Sequence, residues 1–207
     1  MSINLGVLVS GRGTNLQSII DKCTSGEIDA KVAVVISDNP EAFALERARN
    51  AGIDSLYIDP KTERLVLIGE AEEEYIRVLK EHKVGLVCLA GFMRIIKDRF
   101  LKEYKSRIMN IHPALLPSFK GLNAQKRALD YGVRFSGATV HFVTEDVDKG
   151  PIILQAVVPV YQNDTEKTLS DRILKEEHRI YGEAIDLFAR GNLKVMGGKV
   201  IIGESYE

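Results

Sequence analysis

The chain is organised around one stretch of sequence, Asn110-Ile111-His112-Pro113-Ala114-Leu115-Leu116-Pro117-Ser118-Phe119-Lys120-Gly121. The two residues before it are apolar, so the stretch begins as the end of a strand. Pro113 and Pro117 then prevent regular structure, because each lacks a backbone donor and pushes the residue before it away from helical angles. We therefore expect the strand to end near His112 and no helix to start before Gly121.

Asn110 and His112 are two residues apart, so both side chains leave the predicted strand on the same face. An amide beside an imidazole suits acyl transfer, since the amide can hold a developing oxyanion and the imidazole can move a proton near neutral pH. The alternative is structural. In that interpretation Asn110 caps a turn and His112 is a satisfied, half-buried histidine.

Strands and helices alternate without interruption before this stretch. The predicted strands cover Ile3–Val9, Lys31–Ser37, Ser55–Ile58, Leu86–Ala90 and Ile108–His112, and the predicted helices cover Leu16–Thr24, Ala42–Ala51, Ala71–His82 and Lys97–Tyr104. The helical pattern before Ala71 starts at Thr62, but Gly69 weakens it, and the glutamates at 70 and 72–74 are expected on a solvated face. Right-handed crossovers then predict an α/β fold with a doubly wound, mostly parallel sheet, whose ligands bind beyond the carboxyl ends of the strands.

A glycine turn, Ser10-Gly11-Arg12-Gly13-Thr14-Asn15, joins the first predicted strand to the first predicted helix. In this arrangement backbone N–H groups and the positive end of the helix can receive a phosphate. The turn is also an incomplete dinucleotide fingerprint, because Leu16 occupies the place of the third glycine and Asp38 could imitate the ribose-binding acid. We favour phosphate over dinucleotide.

The sequence after Gly121 predicts an antiparallel C-terminal portion. We expect a helix over Asn123–Tyr131, strands over Ala138–Val143 and Ile152–Val160, a helix from Asp164 or Thr165 to Ala189, and a hairpin from Lys194–Met196 and Lys199–Ile202. The whole chain, residues 1–207, is expected to be a single domain, with a phosphate-binding half over 1–112 and a second half over 113–207.

Asp148 lies in an acidic loop, Thr144 to Pro151, which by itself is typical of a solvated turn. If that loop folds back over His112, the carboxylate would raise the pKa of the imidazole and fix its tautomer. His141 is interpreted as structural. A metal site made of His112, His141 and Asp148 stays an alternative, since nothing in the sequence fixes the distances between them.

The overall composition is that of an ordinary globular protein, with 45% apolar and 28% charged residues and a formal net charge of -1. This balance argues against a nucleic-acid groove or an anionic membrane surface as partner. No apolar run approaches the roughly 20 residues of a membrane span, so a cytoplasmic protein is expected. Cys23 and Cys88 fit no metal-ligand spacing and are expected to be buried and reduced.

Taken together, the ordered motifs resemble those of the phosphoribosylglycinamide formyltransferases, which are folate-dependent enzymes of purine synthesis. The resemblance covers nearly the whole chain, and several motifs in order are more specific than any one. The matching stretches are Val9–Gln17, Leu89–Ile95, Asn110–Gly121, Val140–Val143, Asp146–Gln155 and Glu176–His178.

This resemblance implies roles for individual residues. Asn110 would donate to the formyl oxygen as it becomes an oxyanion, His112 would be the general acid and base, and Asp148 would orient and charge His112. The phosphate of the substrate would bind at Gly13, Thr14 and Asn15, with Glu177 near the glycinamide end. The folate pocket would be lined by Met93, Arg94, Ile95, Ile96, Asn110, Thr144, Glu145, Asp146, Val147 and Asp148.

The implied reaction is direct attack of the phosphoribosylglycinamide amine on the formyl group of 10-formyltetrahydrofolate, a co-substrate, with no metal and no covalent enzyme intermediate. The implied partners are these small molecules, without nucleic acid or membrane, and a homodimer is compatible with the resemblance. Ile68 stands where many members carry a basic residue near the folate tail, and Arg64 is close but not aligned. Gly182 replaces a common proline and Ala114 a frequent serine.

Two kinds of rival remain. A deformylase would be expected to carry an extra amino-terminal domain and a methionyl-tRNA formyltransferase an extra carboxyl-terminal one, and we expect neither here because a strand starts at Ile3 and the length leaves little room. The other rival is a non-catalytic nucleotide-binding module that rests on Gly11, Gly13 and Asp38. Such a module has no need for the three residues Asn110, His112 and Asp148.

Overall fold

The structure, a computed structural model, describes residues 2–62 and 65–203. The chain separates into two compact units, Met1–Asn110 and Ile111–Glu207. None of the helices in the described ranges is both long and apolar enough to cross a membrane.

The first unit is built on parallel strands with helices between them. The strands are β1 (Ile3–Val9), β2 (Ala30–Ser37), β3 (Asp54–Tyr57), β4 (Leu86–Leu89) and β5 (Ile108–His112), and the helices are α1 (Thr14–Thr24), α2 (Phe43–Asn50), α3 (Gly69–Glu81) and α4 (Asp98–Glu103). The strands stand in the order β3-β2-β1-β4-β5, and every pair of neighbours is parallel. This order is that of a sheet wound outward in both directions from β1, and the predicted α/β fold class is confirmed.

The second unit is mostly antiparallel. It contains α5 (Ala124–Tyr131), β6 (Phe135–Phe142), β7 (Ile152–Pro159), α6 (Glu166–Ala189), β8 (Leu193–Met196) and β9 (Lys199–Ile202). β6 pairs with β7, and β8 with β9 in a separate hairpin, so both predicted antiparallel pairs are confirmed. Thr165 caps α6 through a reciprocal pair of hydrogen bonds with Thr168, and this capping box fixes the start of the helix.

One strand is longer than predicted, since β6 begins at Phe135 and not at Ala138. Gly137 is the reason for the misplaced boundary, because an isolated glycine in an apolar run usually marks a break. Here the glycine allows a close approach between strands: a Cβ at this position would lie 1.9 Å from the carbonyl oxygen of Ala156 on β7.

The helical pattern before Ala71 is weakened by Gly69, and α3 indeed begins only at Gly69, while Val66 forms a bridge with Ile95. Two other expectations need correction. Glu72 is buried and accepts a hydrogen bond from the backbone N–H of Phe100 at 3.1 Å, so it does not belong to a solvated face. Cys88 is buried as predicted, whereas Cys23 is only half-buried. Arg64 lies outside the described residues.

Candidate functional site

The predicted phosphate turn leads from β1 into α1, and Gly13 is its pivot. Gly13 has φ +70°, and a Cβ there would lie 2.6 Å from Cβ of Ala44, so both the backbone conformation and the packing require glycine. Gly13 is also the N-cap of α1. In this helix, all of which is described, no side chain caps the N-terminus and no acidic residue occupies the first turn. The N-terminal N–H groups and the positive end of this helix therefore suit an anion.

The turn is held rigidly by α2. The backbone N–H of Ala44 donates to the carbonyl of Gly11 at 3.1 Å. Arg47 donates through Nε to the carbonyl of Arg12 at 2.9 Å and through Nη1 to Oε1 of Gln17 at 3.0 Å. These contacts fix the loop before a ligand arrives, which lowers the entropic cost of binding.

Asp38 follows β2 and was the candidate for a ribose-binding acid. Its Oδ1 accepts a hydrogen bond from the hydroxyl of Ser10 at 2.6 Å, and its Oδ2 forms an ion pair with Nε of Arg94 at 2.7 Å. Both carboxylate oxygens are thus engaged inside the first unit. This arrangement argues against the dinucleotide interpretation, because a ribose-binding acid must present an oxygen to its ligand.

Residues 93–96, the predicted folate-lining turn, follow β4. Met93 is half exposed, whereas Ile96 is buried. Both backbone groups of Ile95 form hydrogen bonds. Its N–H donates to the carbonyl of Leu65 at 2.6 Å, and its carbonyl accepts from the N–H of Leu67 at 3.0 Å. Ile68, the position where a basic residue was expected, is exposed just before α3.

The second unit brings His112 and Asp148 together, as predicted. Nδ1 of His112 lies 3.3 Å from Oδ2 of Asp148, and Nε2 lies 3.0 Å from the carbonyl oxygen of Phe119. Asp148 has φ +51°, a left-handed conformation that aspartate tolerates better than most residues. Its Oδ2 also accepts from the backbone N–H of Gly121 at 2.8 Å. Asn110 is half-buried on β5, two residues before His112.

His141 completes this cluster. Its Nε2 lies 3.5 Å from Oδ1 of Asp148, and the imidazole is buried on β6. The pairing of β6 with β7 shifts register between Val140 and His141, and such an irregularity can re-aim a side chain. The sequence favours a structural role for His141 and groups it with Asp148 only in the metal alternative.

The surroundings of Asp148 favour its charged form, whereas those of His112 favour its uncharged form. The pKa of Asp148 is lowered to about 2: burial raises it, but hydrogen bonds from His141 and from the N–H of Gly121, with the nearby His112, more than offset that penalty. The pKa of His112 is lowered, chiefly because burial disfavours the imidazolium, while Asp148 and the Phe119 carbonyl oppose this effect. At neutral pH, the pair therefore consists of a carboxylate and an uncharged imidazole.

The metal alternative groups His112, His141 and Asp148, and the structure does bring these three side chains together. The nitrogen–oxygen separations are 3.3 Å from His112 and 3.5 Å from His141 to the carboxylate of Asp148. Among the described residues, no group of three or more His, Cys, Asp and Glu side chains is arranged to hold a metal ion.

Thr139 orders the segment between His112 and α5, a role that no sequence pattern indicated. Its hydroxyl donates to the carbonyl of Ala114 at 2.7 Å and accepts from the N–H of Leu116 at 3.1 Å. Gln155 on β7 donates from Nε2 both to this hydroxyl and to the carbonyl of Leu116, each at 3.0 Å. Alternation places Thr139 and His141 on one face of β6, which is the only sequence signal that could have linked them.

The remaining predicted binding residues lie as follows. Glu177 is buried in α6. Glu145 and Asp146 are exposed, and Asp146 pairs with Lys149 at 3.0 Å. Thr144 donates weakly to the Asp146 carbonyl at 3.5 Å. Val147 is also exposed, so this loop presents its side chains to solvent while Asp148 alone turns inward.

Comparison with known proteins adds a consistent set of relatives. The formyl transferase family model matches residues 3–185. Phosphoribosylglycinamide formyltransferase of Escherichia coli (strain K12) is 43% identical over 199 residues, covering 93% of this chain and 90% of that protein. The crystal structure of glycinamide ribonucleotide transformylase 1 from Symbiobacterium toebii superposes with a TM-score of 0.93 at 52% identity, covering 98% of this chain and 94% of that one.

Some relatives are much longer. The trifunctional purine biosynthetic protein adenosine-3 of Gallus gallus is 45% identical over 193 residues, which cover 93% of this chain. The same match spans only 19% of that protein. The chain therefore corresponds to one part of these trifunctional proteins.

Proposed function

The chain belongs to the formyl transferase family, and from this membership we propose that it transfers the formyl group of 10-formyltetrahydrofolate to the amine of 5'-phosphoribosylglycinamide. The products are formylglycinamide ribonucleotide and tetrahydrofolate, and the reaction is a step of purine biosynthesis. The observation that carries the proposal is the buried pairing of His112 with Asp148 at the end of β5, in a chain with relatives of similar length named for this activity.

The reaction begins with attack of the uncharged amine on the formyl carbon. A carbon–nitrogen bond forms, and the formyl oxygen becomes an oxyanion in the tetrahedral intermediate. The side-chain amide of Asn110 donates a hydrogen bond to that oxyanion. Such donors typically contribute about 3 kcal/mol to the stability of the transition state.

The proton lost by the amine must reach N10 of the folate as the carbon–nitrogen bond to N10 breaks. His112, uncharged at neutral pH, accepts this proton and returns it to the leaving nitrogen. Asp148 stabilises the imidazolium that forms in between, because its carboxylate stays ionised and lies against Nδ1. For this step Nε2 leaves the Phe119 carbonyl oxygen and faces the reacting groups instead.

Further residues are proposed to bind the two substrates. The phosphate of phosphoribosylglycinamide binds the N–H groups of Gly13, Thr14 and Asn15 at the uncapped end of α1. Glu177 is assigned to the glycinamide end of the substrate. The folate is lined by residues 93–96, Asn110 and the loop 144–148, and no metal is required. The predicted cytoplasmic location and homodimer stay predictions.

Mass spectrometry of the products tests this proposal. The purified protein is incubated with phosphoribosylglycinamide and formyl-labelled 10-formyltetrahydrofolate, and the labelled formyl group should appear on the glycinamide amine. Asp130→Asn, which changes an exposed carboxylate paired with Lys126 on α5, serves as the matched control and should form product at the normal rate. Label recovered only as formate would contradict the transferase and indicate a hydrolase.

A further inference from the structure

Ser10, the first residue of the phosphate turn, is also bound to the turn that follows β4. Its backbone N–H donates to the carbonyl of Gly91 at 3.1 Å, and its hydroxyl accepts from the backbone N–H of Met93 at 2.9 Å. The same hydroxyl donates to Oδ1 of Asp38 at 2.6 Å, and the Ser10 carbonyl accepts from Nδ2 of Asn39 at 3.1 Å. One small side chain thus joins the loops that follow three neighbouring parallel strands.

Asp38 extends this connection to Arg94. The ion pair between Oδ2 and Nε is 2.7 Å long, and the two side chains are only 7% and 15% exposed. Arg94 also donates from Nη1 to the carbonyl of Thr62 at 3.1 Å. Two N–H donors of its planar guanidinium, Nε and Nη1, are therefore bound to groups of the first unit. Such fixed contacts suit a residue that holds the backbone in place.

Turn 91–96 is anchored on its other sides by packing and by backbone contacts. Phe92 is buried, and its ring lies 5.8 Å from that of Tyr75 on α3. Ile95 is bound to residues 65 and 67 through its own N–H and carbonyl. Between these anchors, Met93 and Arg94 are held by Ser10 and Asp38.

We propose that Ser10, Asp38 and Arg94 form a positioning network that holds turn 91–96 in its folate-binding conformation and couples it to the phosphate turn. In this account, Arg94 is a positioning residue whose guanidinium acts through Asp38, and the folate is recognised by the turn that the network shapes. The inference rests on the proposed function, since it concerns how the same site takes up its folate. Coupling follows because Ser10 belongs to the phosphate turn and is hydrogen-bonded to Gly91 and Met93 of the other turn, so ordering one turn favours the other.

Two variants remove different parts of the network. Ser10→Ala deletes one oxygen and leaves the N–H of Met93 and an oxygen of Asp38 without that partner, whereas Asp38→Asn deletes the charge that binds Arg94. Without these bonds the turn populates other conformations, and folate binding weakens by the factor by which the binding-competent conformation is depleted, about tenfold. We expect both variants to raise the KM for 10-formyltetrahydrofolate and the calorimetric Kd for tetrahydrofolate by such a factor, with kcat within about threefold. The double variant should bind folate no more weakly than the weaker single variant, because both substitutions disrupt the same network.

Coupling is measured from the same titrations. In the wild type, phosphoribosylglycinamide should tighten tetrahydrofolate binding, and in Ser10→Ala this enhancement should disappear. Glu72→Gln is the matched control, because Glu72 is another buried carboxylate of the first unit that accepts from a backbone N–H. It should lose stability while both folate affinity and coupling stay at wild-type values.

Three results separate the possibilities. Normal folate affinity in Ser10→Ala and Asp38→Asn, with a loss of stability like that of Glu72→Gln, would contradict the positioning role of the network. Turnover by the wild-type protein would in that case still support the proposed transferase activity. Weak folate binding in Arg94→Gln alone, with Asp38→Asn normal, would overturn it in favour of direct contact with the guanidinium. No turnover by the wild-type protein would count against the proposed function itself. Should a charged-pair variant fail to fold, Ser10→Ala alone still decides, because it removes a single atom.

Discussion

At the scale of single residues, the chemistry depends on the environment of one imidazole. Both ring nitrogens of His112 face oxygen acceptors, the carboxylate of Asp148 at 3.3 Å and the Phe119 carbonyl at 3.0 Å. An uncharged imidazole can donate to only one of them. The second nitrogen therefore gains a hydrogen bond when His112 takes up a proton.

The titration of His112 follows from these contacts. Burial holds its folded-state pKa below the ordinary 6.5, so protonation favours the unfolded chain and this contribution to stability is lost as the pH falls below 6.5. We expect the ¹H NMR signal of His112 Cε1–H to titrate below pH 6.5. In Asp148→Asn the midpoint should move lower still, because the carboxylate that favours the charged ring is gone. An upward move would contradict the assigned pair.

Two substitutions test the roles in turnover. His112→Ala removes the proton carrier and Asp148→Asn removes the charge that stabilises its protonated form, so each should lower kcat by about 10²- to 10⁴-fold while the circular dichroism spectrum is kept. Steady-state kinetics of the purified variants measure this. His82→Ala, at the end of α3, is the control for a histidine outside the cluster and should stay near wild-type rates. Near-normal activity in either site variant would remove that residue from the mechanism.

At the scale of elements, the site depends on how two irregular segments are held. The residues from 113 to 121, all of them described, contain no helix, as the two prolines predict. What fixes the path of the chain there is the hydroxyl of Thr139 on β6, which satisfies the carbonyl of Ala114 and the N–H of Leu116.

Replacement of that hydroxyl by a methyl group tests this support. Thr139→Val keeps the shape but leaves buried backbone groups unsatisfied, so the free energy of unfolding should fall by about 2 kcal/mol or more. Urea denaturation measures the change. Thr24→Val, near the exposed end of α1, loses only a hydrogen bond to the carbonyl of Ile20 and should cost far less. Equal losses in the two variants would contradict the role of Thr139.

The phosphate turn can be tested with a matched pair of glycines. Gly13→Ala combines a φ of +70° with a Cβ 2.6 Å from Ala44, so the turn must shift. Gly26→Ala has a similar φ of +79°, but no described atom outside its neighbours lies within 4 Å of its Cβ. Gly13→Ala should raise the KM for phosphoribosylglycinamide at least about tenfold, whereas Gly26→Ala should change stability alone. Similar KM values in both variants would indicate that the phosphate binds elsewhere.

Periodicity was sufficient to predict most elements, because buried strands and amphipathic helices show themselves in single runs of sequence. It failed where a residue was determined by a distant neighbour. The predicted strand started at Ala138, yet Gly137 also lies inside β6, where the backbone of β7 approaches it. Glu72 indicated a solvated face, yet it satisfies a backbone group of α4. For the same reason the sequence did not indicate the role of Thr139, and it could not fix the distance between His141 and Asp148.

At the scale of the whole molecule, the alternatives differ in which ligand stabilises the folded chain. A ligand at about 100 times its Kd adds roughly 2.7 kcal/mol to the free energy of unfolding. For a chain of this length, that corresponds to a rise of about 5–10 °C in Tm. We expect phosphoribosylglycinamide and tetrahydrofolate to raise Tm in a thermal-shift measurement and NAD to leave it unchanged. A shift with NAD alone would support the dinucleotide-binding module instead.

The central claim is that formyl transfer requires an amine acceptor, and a folate absorbance assay tests it most directly. The purified protein is mixed with 10-formyltetrahydrofolate, once with phosphoribosylglycinamide and once without. Our account predicts tetrahydrofolate only when the amine is present, in amounts equal to the formylated product, and almost none from His112→Ala. Tetrahydrofolate and formate released at the same rate without the amine would contradict it.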